Sequence, residues 1–357
     1  MQNKEKYNMR PSQVATAIDA CFKADLRPFL WGPPGVGKTA LVSSLAEKYG
    51  HVHIVHGLTQ EACDVSGFPY LVDSEGTKLT CFSRPGFWPK GEKGILFLDE
   101  FASAPGMVMT AFSQLLLGRR IGEHVLKPGW HIVLASNRMS DRAVVHNLPT
   151  PIANRCVHID YECTWEEWKQ WAMKNGVHED VIGFLNFQPQ LLHERDFAKD
   201  NGKGGKPSSS EHAFCSPRSW DFASRLLLHS GCEGGEVEQQ LLEGIVGKRA
   251  ANDFSSFLLL KRKAPTMDEI IKNPKKAMIP AELSVRYAIC LGLSRRMDKN
   301  TIGPIMTYLR RNEGEKNVIP ADMAIMAAKT AVERDYSIQN TKEFASFVME
   351  HASELGV

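Results

Sequence analysis

Apolar positions along the first 160 residues switch repeatedly between helical and strand spacing. Residues 12–24 (SQVATAIDACFKA) place Val14, Ile18, Cys21 and Phe22 on one helical face, with Ser12 as the expected cap. PFLW (28–31) is a short apolar run of strand length, followed at once by GPPGVGKT. In ALVSSLAEKYG (40–50), Leu41, Val42, Leu45 and Ala46 share a helical face and Gly50 supplies a stop signal. HVHIVHGL then predicts a second strand. Residues 60–93 are rich in Gly, Pro and polar side chains. Two short β-like runs there, FPYLV and KLTCF around DSEG, predict a hairpin-bearing insertion outside the core. GILFLDEF predicts a buried strand that runs into acid, and MVMTAFSQLLLG an apolar helix. RIGEHVLKPGW predicts another hairpin, leading into the strand HIVLASN; a helix-sized PTPIANR and the strand CVHID come next. Helix, strand, loop, helix, strand is the rhythm of an α/β sheet that closes near residue 160.

Beyond that point helical spacing takes over. TWEEWKQWAMKNG opens with an expected capping box from Thr164 to Glu167 and stops at Gly176. Residues 195–216 have the low apolar content of a long loop, and from SPRSWDFASRLLLHSG onward helical segments alternate with Pro and Gly breaks. No internal repeat is found. The expected organisation is an α/β core over 1–162, a helical lid over 163–250 and a helical extension over 251–357.

Composition narrows the chemistry. Of 357 residues, 43% are hydrophobic and 24% charged, ordinary values for a folded chain. Forty-three Lys and Arg against forty-one Asp and Glu leave a net charge of +2 and no general drive toward nucleic acid or anionic membrane. No apolar run reaches membrane-spanning length, and MQNKEKYNMR lacks the apolar centre of a secretory signal. The expectation is a cytoplasmic protein. Its eight cysteines contain no C-x-x-C pair and read as reduced, packed thiols rather than zinc ligands.

The densest chemical signal is Gly32-Pro33-Pro34-Gly35-Val36-Gly37-Lys38-Thr39, which fits G-x-x-x-x-G-K-[ST] in full. Glycines let a backbone wrap phosphate with its N–H groups pointing inward, and the following helix adds its positive end. Lys38 would reach the β- and γ-phosphates, and the Thr39 hydroxyl would hold Mg²⁺. Such a loop needs an acidic partner on a neighbouring strand. Ile95-Leu96-Phe97-Leu98-Asp99-Glu100 supplies one, sixty-one residues after Lys38. Asp99 would steady Mg²⁺ and Glu100 orient the attacking water.

With these motifs in place the chain resembles the AAA+ ATPases. The resemblance implies an α/β P-loop NTPase with a parallel-sheet core and insertion hairpins, followed by an α-helical lid and a helical C-terminal region. It implies ATP and Mg²⁺ as cofactors. Asn137, after IVLAS, matches the sensor-1 position, whose polar side chain contacts the γ-phosphate region. Arg155 in PIANRCVHI matches the arginine that acts on a neighbouring subunit's nucleotide, with Arg138 and Arg142 as nearby competitors. Arg218 in SPRSW matches the sensor-2 arginine of the lid. The insertion at 60–93 and the hairpin before Asn137 resemble the helix-2-insert clade, most closely the MoxR-like ATPases, over roughly residues 10–230. That likeness implies a homo-oligomeric ring, typically hexameric, with a chaperone-like action on a client protein carrying a von Willebrand factor A domain. Two alternatives stay open: an AAA+ motor or loader acting on DNA, and an ATP-gated scaffold with negligible turnover.

Other features read as structural. His51 and His53 share a strand face while His56 falls on the other, which disfavours a shared metal. Trp165, Trp168 and Trp171 drift around a helix and are expected to pack between lid and core. The basic cluster Lys261-Arg262-Lys263 with Lys272, Lys275 and Lys276 reads as a solvated face.

Overall fold

The computed structural model describes residues 8–141, 145–193, 213–232, 234–311 and 318–351. Its contacts divide the chain into two compact units, Met1–Glu167 and Trp168–Val357. Arg142 and most of the loop expected at 195–216 lie outside the described residues.

The first unit begins with helix α1 (Pro11–Lys23), whose Val14, Ile18, Cys21 and Phe22 are buried as their spacing predicts. Ser12 is not its cap. Pro11 has no N–H to satisfy and a φ already suited to a first helical turn, so the helix starts one residue earlier, and Gln13 Oε1 accepts the Arg10 N–H at 3.0 Å. The Ser12 hydroxyl instead donates to Glu167 Oε1. That diversion also undoes the capping box expected at 164–167, leaving Thr164 Oγ1 buried without a partner.

Strand β1 (Pro28–Trp31) leads through the glycine loop into α2 (Lys38–Ser44) and α3 (Ala46–Tyr49). The single helix expected over 40–50 is interrupted at Leu45, whose N–H bonds Val42 three residues back instead of four. Then come β2 (His51–His56), the one-turn α4 (Ala62–Ser66), and the antiparallel pair β3 (Pro69–Ser74) and β4 (Thr77–Phe82). Between these two strands Glu75 and Gly76 both take left-handed φ values, 52° and 79°, as a two-residue hairpin turn with the sheet's own twist requires. Every residue of the hairpin strands except Cys81 is exposed, so this segment stands outside the core as expected. The unit is completed by β5 (Lys93–Asp99), α5 (Gly106–Gly118), the small hairpin β6 (Arg120–Ile121) and β7 (His124–Val125), β8 (Gly129–Ser136), the single turn α6 (Thr150–Ala153) and β9 (Val157–Asp160).

Five of these strands form one parallel sheet in the order β2-β5-β8-β1-β9. Its two faces are read directly from period 2. Leu96 and Leu98 of β5, Ile132 and Leu134 of β8 and Phe29 of β1 pack with Val108, Phe112 and Leu115 of α5. Ile95, Phe97, Val133, Ala135 and Leu30 face the other way, onto Val14, Ile18 and Val42. Burial on both faces explains why these strands are continuous apolar runs.

The second unit is helical throughout its described residues. Most of α7 (Trp165–Lys174) belongs to it; Trp168 is buried and Trp171 is exposed. α8 (Glu179–Phe187), α9 (Pro217–His229), α10 (Gly235–Val246) and α11 (Lys248–Arg262) enclose a core of aromatic rings, Phe184, Trp220, Phe254 and Phe257. After α12 (Met267–Lys272), α13 (Leu283–Arg296) is buried along ten consecutive residues and packs on α8, where Gly183 lies against Ala288. α14 (Ile302–Leu309), α15 (Ala321–Arg334) and α16 (Lys342–Glu350) complete the unit.

Candidate nucleotide site

In an open parallel sheet the carboxyl ends of the strands line the crevice where ligands bind. The ends of β1, β5 and β8 here carry the residues singled out by sequence. The glycine loop leaves β1 at Gly32, and Gly35 and Gly37 adopt φ values of 75° and 96°, open to glycine without strain. Val36 is buried and Pro33 and Pro34 are half-buried. Lys38, 8% exposed, opens α2 and turns its ammonium back over the loop. Its Nζ donates to the carbonyls of Gly32 at 2.6 Å and Pro33 at 2.9 Å, and to Asn137 Oδ1 at 2.9 Å. Thr39 Oγ1 donates to Asp99 Oδ2 at 2.7 Å, and Asp99 Oδ1 accepts the Glu100 N–H at 2.9 Å. The fold thus brings Lys38, Thr39, Asp99 and Asn137 together although 99 residues separate Lys38 from Asn137.

Glu100 is exposed and takes a left-handed φ of 54°, a conformation that costs a non-glycine residue energy. The bend turns the chain off the strand immediately after Asp99. A hydroxyl and a carboxylate 2.7 Å apart are hard oxygen donors of the kind Mg²⁺ prefers, and the backbone amides with Lys38 are a donor set for phosphate oxygens. The residues present therefore fit a Mg²⁺-bound nucleoside phosphate.

The three arginines are placed differently. Arg138 is held inside its own unit: Nε donates to Asp160 Oδ1 at 2.8 Å, and Nη2 reaches Asn8 Oδ1 and the Trp31 carbonyl at 3.4 Å each. Arg155 comes just after α6, is half-exposed, and makes a long 3.5 Å bond to the Ser113 carbonyl on α5 rather than one to the loop. Arg218 is exposed on the first turn of α9 in the second unit, where Ser216 caps the helix and accepts the Ser219 N–H at 3.1 Å. His51 and His53 lie side by side, ring centres 6.1 Å apart, and no metal-ligating cluster of three occurs among the described residues. No helix among them is long and apolar enough to cross a membrane.

Sequence reasoning passed over Tyr161. One residue beyond β9, it is 3% exposed and its hydroxyl donates to the Val36 carbonyl in the middle of the loop at 3.1 Å. Burial pushes this phenol well above its ordinary pKa, so it stays a donor. An aromatic residue at the end of a core strand was the available signal, but nothing local in the chain says that β9 lies beside β1.

Residues 28–159 match the family model described as the ATPase family associated with various cellular activities (AAA), a span running from the start of β1 almost to the end of β9. The sheet, the loop and its acidic partner thus form an AAA ATPase domain, a parallel five-stranded P-loop fold followed by a helical C-terminal region. Among solved structures the chain is similar to a mutant RuvB from Thermotoga maritima, at 15% identity over 84% of this chain and 85% of that one, with a TM-score of 0.37. It is also similar to NtrX from Brucella abortus in complex with ATP, at 14% identity over 80% and 63% of the two chains, with a TM-score of 0.39. No curated protein matches it in sequence.

Proposed function

We propose that the protein is a Mg²⁺-dependent ATPase, MoxR-like in kind, that works as a ring and remodels or activates a partner protein. The observation that carries the reading is the convergence of Lys38, Asn137, Thr39 and Asp99 at the ends of three neighbouring strands. In this reading Lys38 and the amides of residues 32–39 bind the phosphates of ATP, and Thr39 with Asp99 holds Mg²⁺. Bound there, the ion supplies positive charge against the oxygens of the transferred phosphoryl group. Glu100 orients and polarises the attacking water, and Asn137 helps to place it. The exposure of Glu100 at a strained bend, directly after Asp99, supports that role.

Arg155 is assigned to the nucleotide of an adjacent subunit. The commitment of Arg138 to Asp160 favours Arg155 over it. A planar, permanently charged guanidinium suits the task because it can pair two phosphate oxygens at once. Arg218 is assigned to couple a lid over 163–250 to nucleotide state, an assignment that rests on the resemblance alone. So do the hexameric ring, the cytoplasmic location, the separate extension over 251–357 and the client with a von Willebrand factor A domain.

Phosphate release by purified protein tests the core of this reading. Wild-type turnover should depend on Mg²⁺ and rise in specific rate with protein concentration as Arg155 is supplied in trans, an effect on the order of 10³ or more in other nucleotidases. Lys38→Ala should lose nucleotide binding, and Glu100→Gln should bind ATP without turning it over. Unchanged affinity in the first variant would remove the phosphate cradle, and wild-type turnover in the second would move the base elsewhere.

A further inference from the structure

Tyr161 touches the glycine loop at both ends. A Cβ built on Gly32 would lie 2.9 Å from the Tyr161 carbonyl oxygen and 3.4 Å from its ring, so the loop's first residue rests directly on Tyr161. At the far end, a Cβ on Gly37 would lie 3.6 Å from the hydroxyl. Between them the hydroxyl bonds the Val36 carbonyl. Tyr161 is itself pinned on both sides: its N–H donates to the Trp31 carbonyl at 2.7 Å, and it pairs with Met9, whose own N–H donates to the Asp160 carbonyl at 2.7 Å.

The geometry points to Tyr161 as the positioning residue that sets the Val36–Gly37 peptide for phosphate binding. Across a planar trans peptide the carbonyl of one residue and the N–H of the next point in opposite directions. Anchoring the Val36 carbonyl on Tyr161 therefore aims the Gly37 N–H to the opposite side of the loop, away from the sheet end and toward the phosphates. Without the hydroxyl, that peptide is free to rotate, and the amide must be ordered at the moment of binding. Tyr161 touches no substrate; its effect is confined to how well the loop is formed in advance. The inference rests on the reading of residues 32–39 as a phosphate cradle.

The test compares full-length wild type, Tyr161→Phe and Lys38→Ala by calorimetric titration with Mg-ADP and with AMP, and by steady-state ATP turnover. Removing one hydroxyl while keeping the ring should weaken ADP binding and raise KM for ATP by about five- to tenfold, with kcat within about twofold. AMP ends before the phosphate that such a loop grips, so its affinity should change less than about twofold. Equal weakening of AMP and ADP would mean a generally loosened fold and would overturn the inference, as would unchanged ADP affinity. If Lys38→Ala loses ADP while Tyr161→Phe behaves as wild type, only the role of Tyr161 falls. If Lys38→Ala binds as wild type does, the cradle itself is misassigned.

Discussion

Asp19 shows how far a single side chain can depend on its neighbours. On α1 it faces Lys23, at 2.7 Å one helical turn away, and Lys48 and Tyr49 from α3. Bonds from Lys23, then Lys48 and Tyr49, hold its carboxyl well below the usual carboxylate range. A depressed folded-state pKa contributes stability above the unfolded value, near about 4, and that contribution is lost as pH falls through the folded value. The thermal midpoints of wild type and Asp19→Asn should therefore differ at neutral pH and converge as the solution is made more acidic than about pH 4. A difference that persists unchanged into acid would assign the effect to packing. Gly94 on β5 is limited by space instead. A Cβ there would lie 2.3 Å from the His51 carbonyl oxygen and 2.7 Å from the Trp130 ring. Gly94→Ala should cost about 3 kcal/mol in urea unfolding, the upper part of the usual range for forced overpacking. The Lys-Thr pair at 38–39 and the Asp-Glu pair at 99–100 were legible as residues from spacing alone. Tyr161 was not, because its partner is 125 residues away.

At the scale of elements, the β3–β4 hairpin buries almost nothing, while its neck is closed by two bonds between Phe68 and Ser83, each of 2.9 Å. Replacing residues 69–82 with an Asn-Gly turn should leave the thermal midpoint nearly unmoved and nucleotide affinity unchanged. A collapse in stability would show that the ribbon supports the sheet. The elements whose periodicity was strongest, α1, α5 and the strands β5 and β8, match the sequence pattern closely. Helix starts obey it less well. Ser12 and Thr164 are good capping residues, yet Pro11 starts one helix earlier and the Ser12 hydroxyl draws Glu167 away from the other. Local capping preferences are worth about 1 kcal/mol, small enough for one tertiary hydrogen bond to override.

For the whole molecule, the two compact units each have a core of their own: the aliphatic faces of a parallel sheet in one, the Phe184, Trp220 and Phe254 cluster in the other. Scanning calorimetry should resolve two transitions, and ADP at about 100 times its Kd should stabilise only the unit with the glycine loop, by about 2.7 kcal/mol. A shift of both transitions together would show that they unfold as one. The sequence by itself determined the alternation of strands and helices up to residue 160, the helical character of the remainder of the chain, and the identity of the phosphate-binding loop and its acidic partner. These are written in short-range periodicity and in the steric needs of contiguous residues. Only the tertiary structure decided the strand order β2-β5-β8-β1-β9, the meeting of Lys38 with Asn137 and of Thr39 with Asp99, and the seating of Tyr161 against the loop. Those contacts join residues far apart in the chain, and no local pattern encodes which strand will lie beside which.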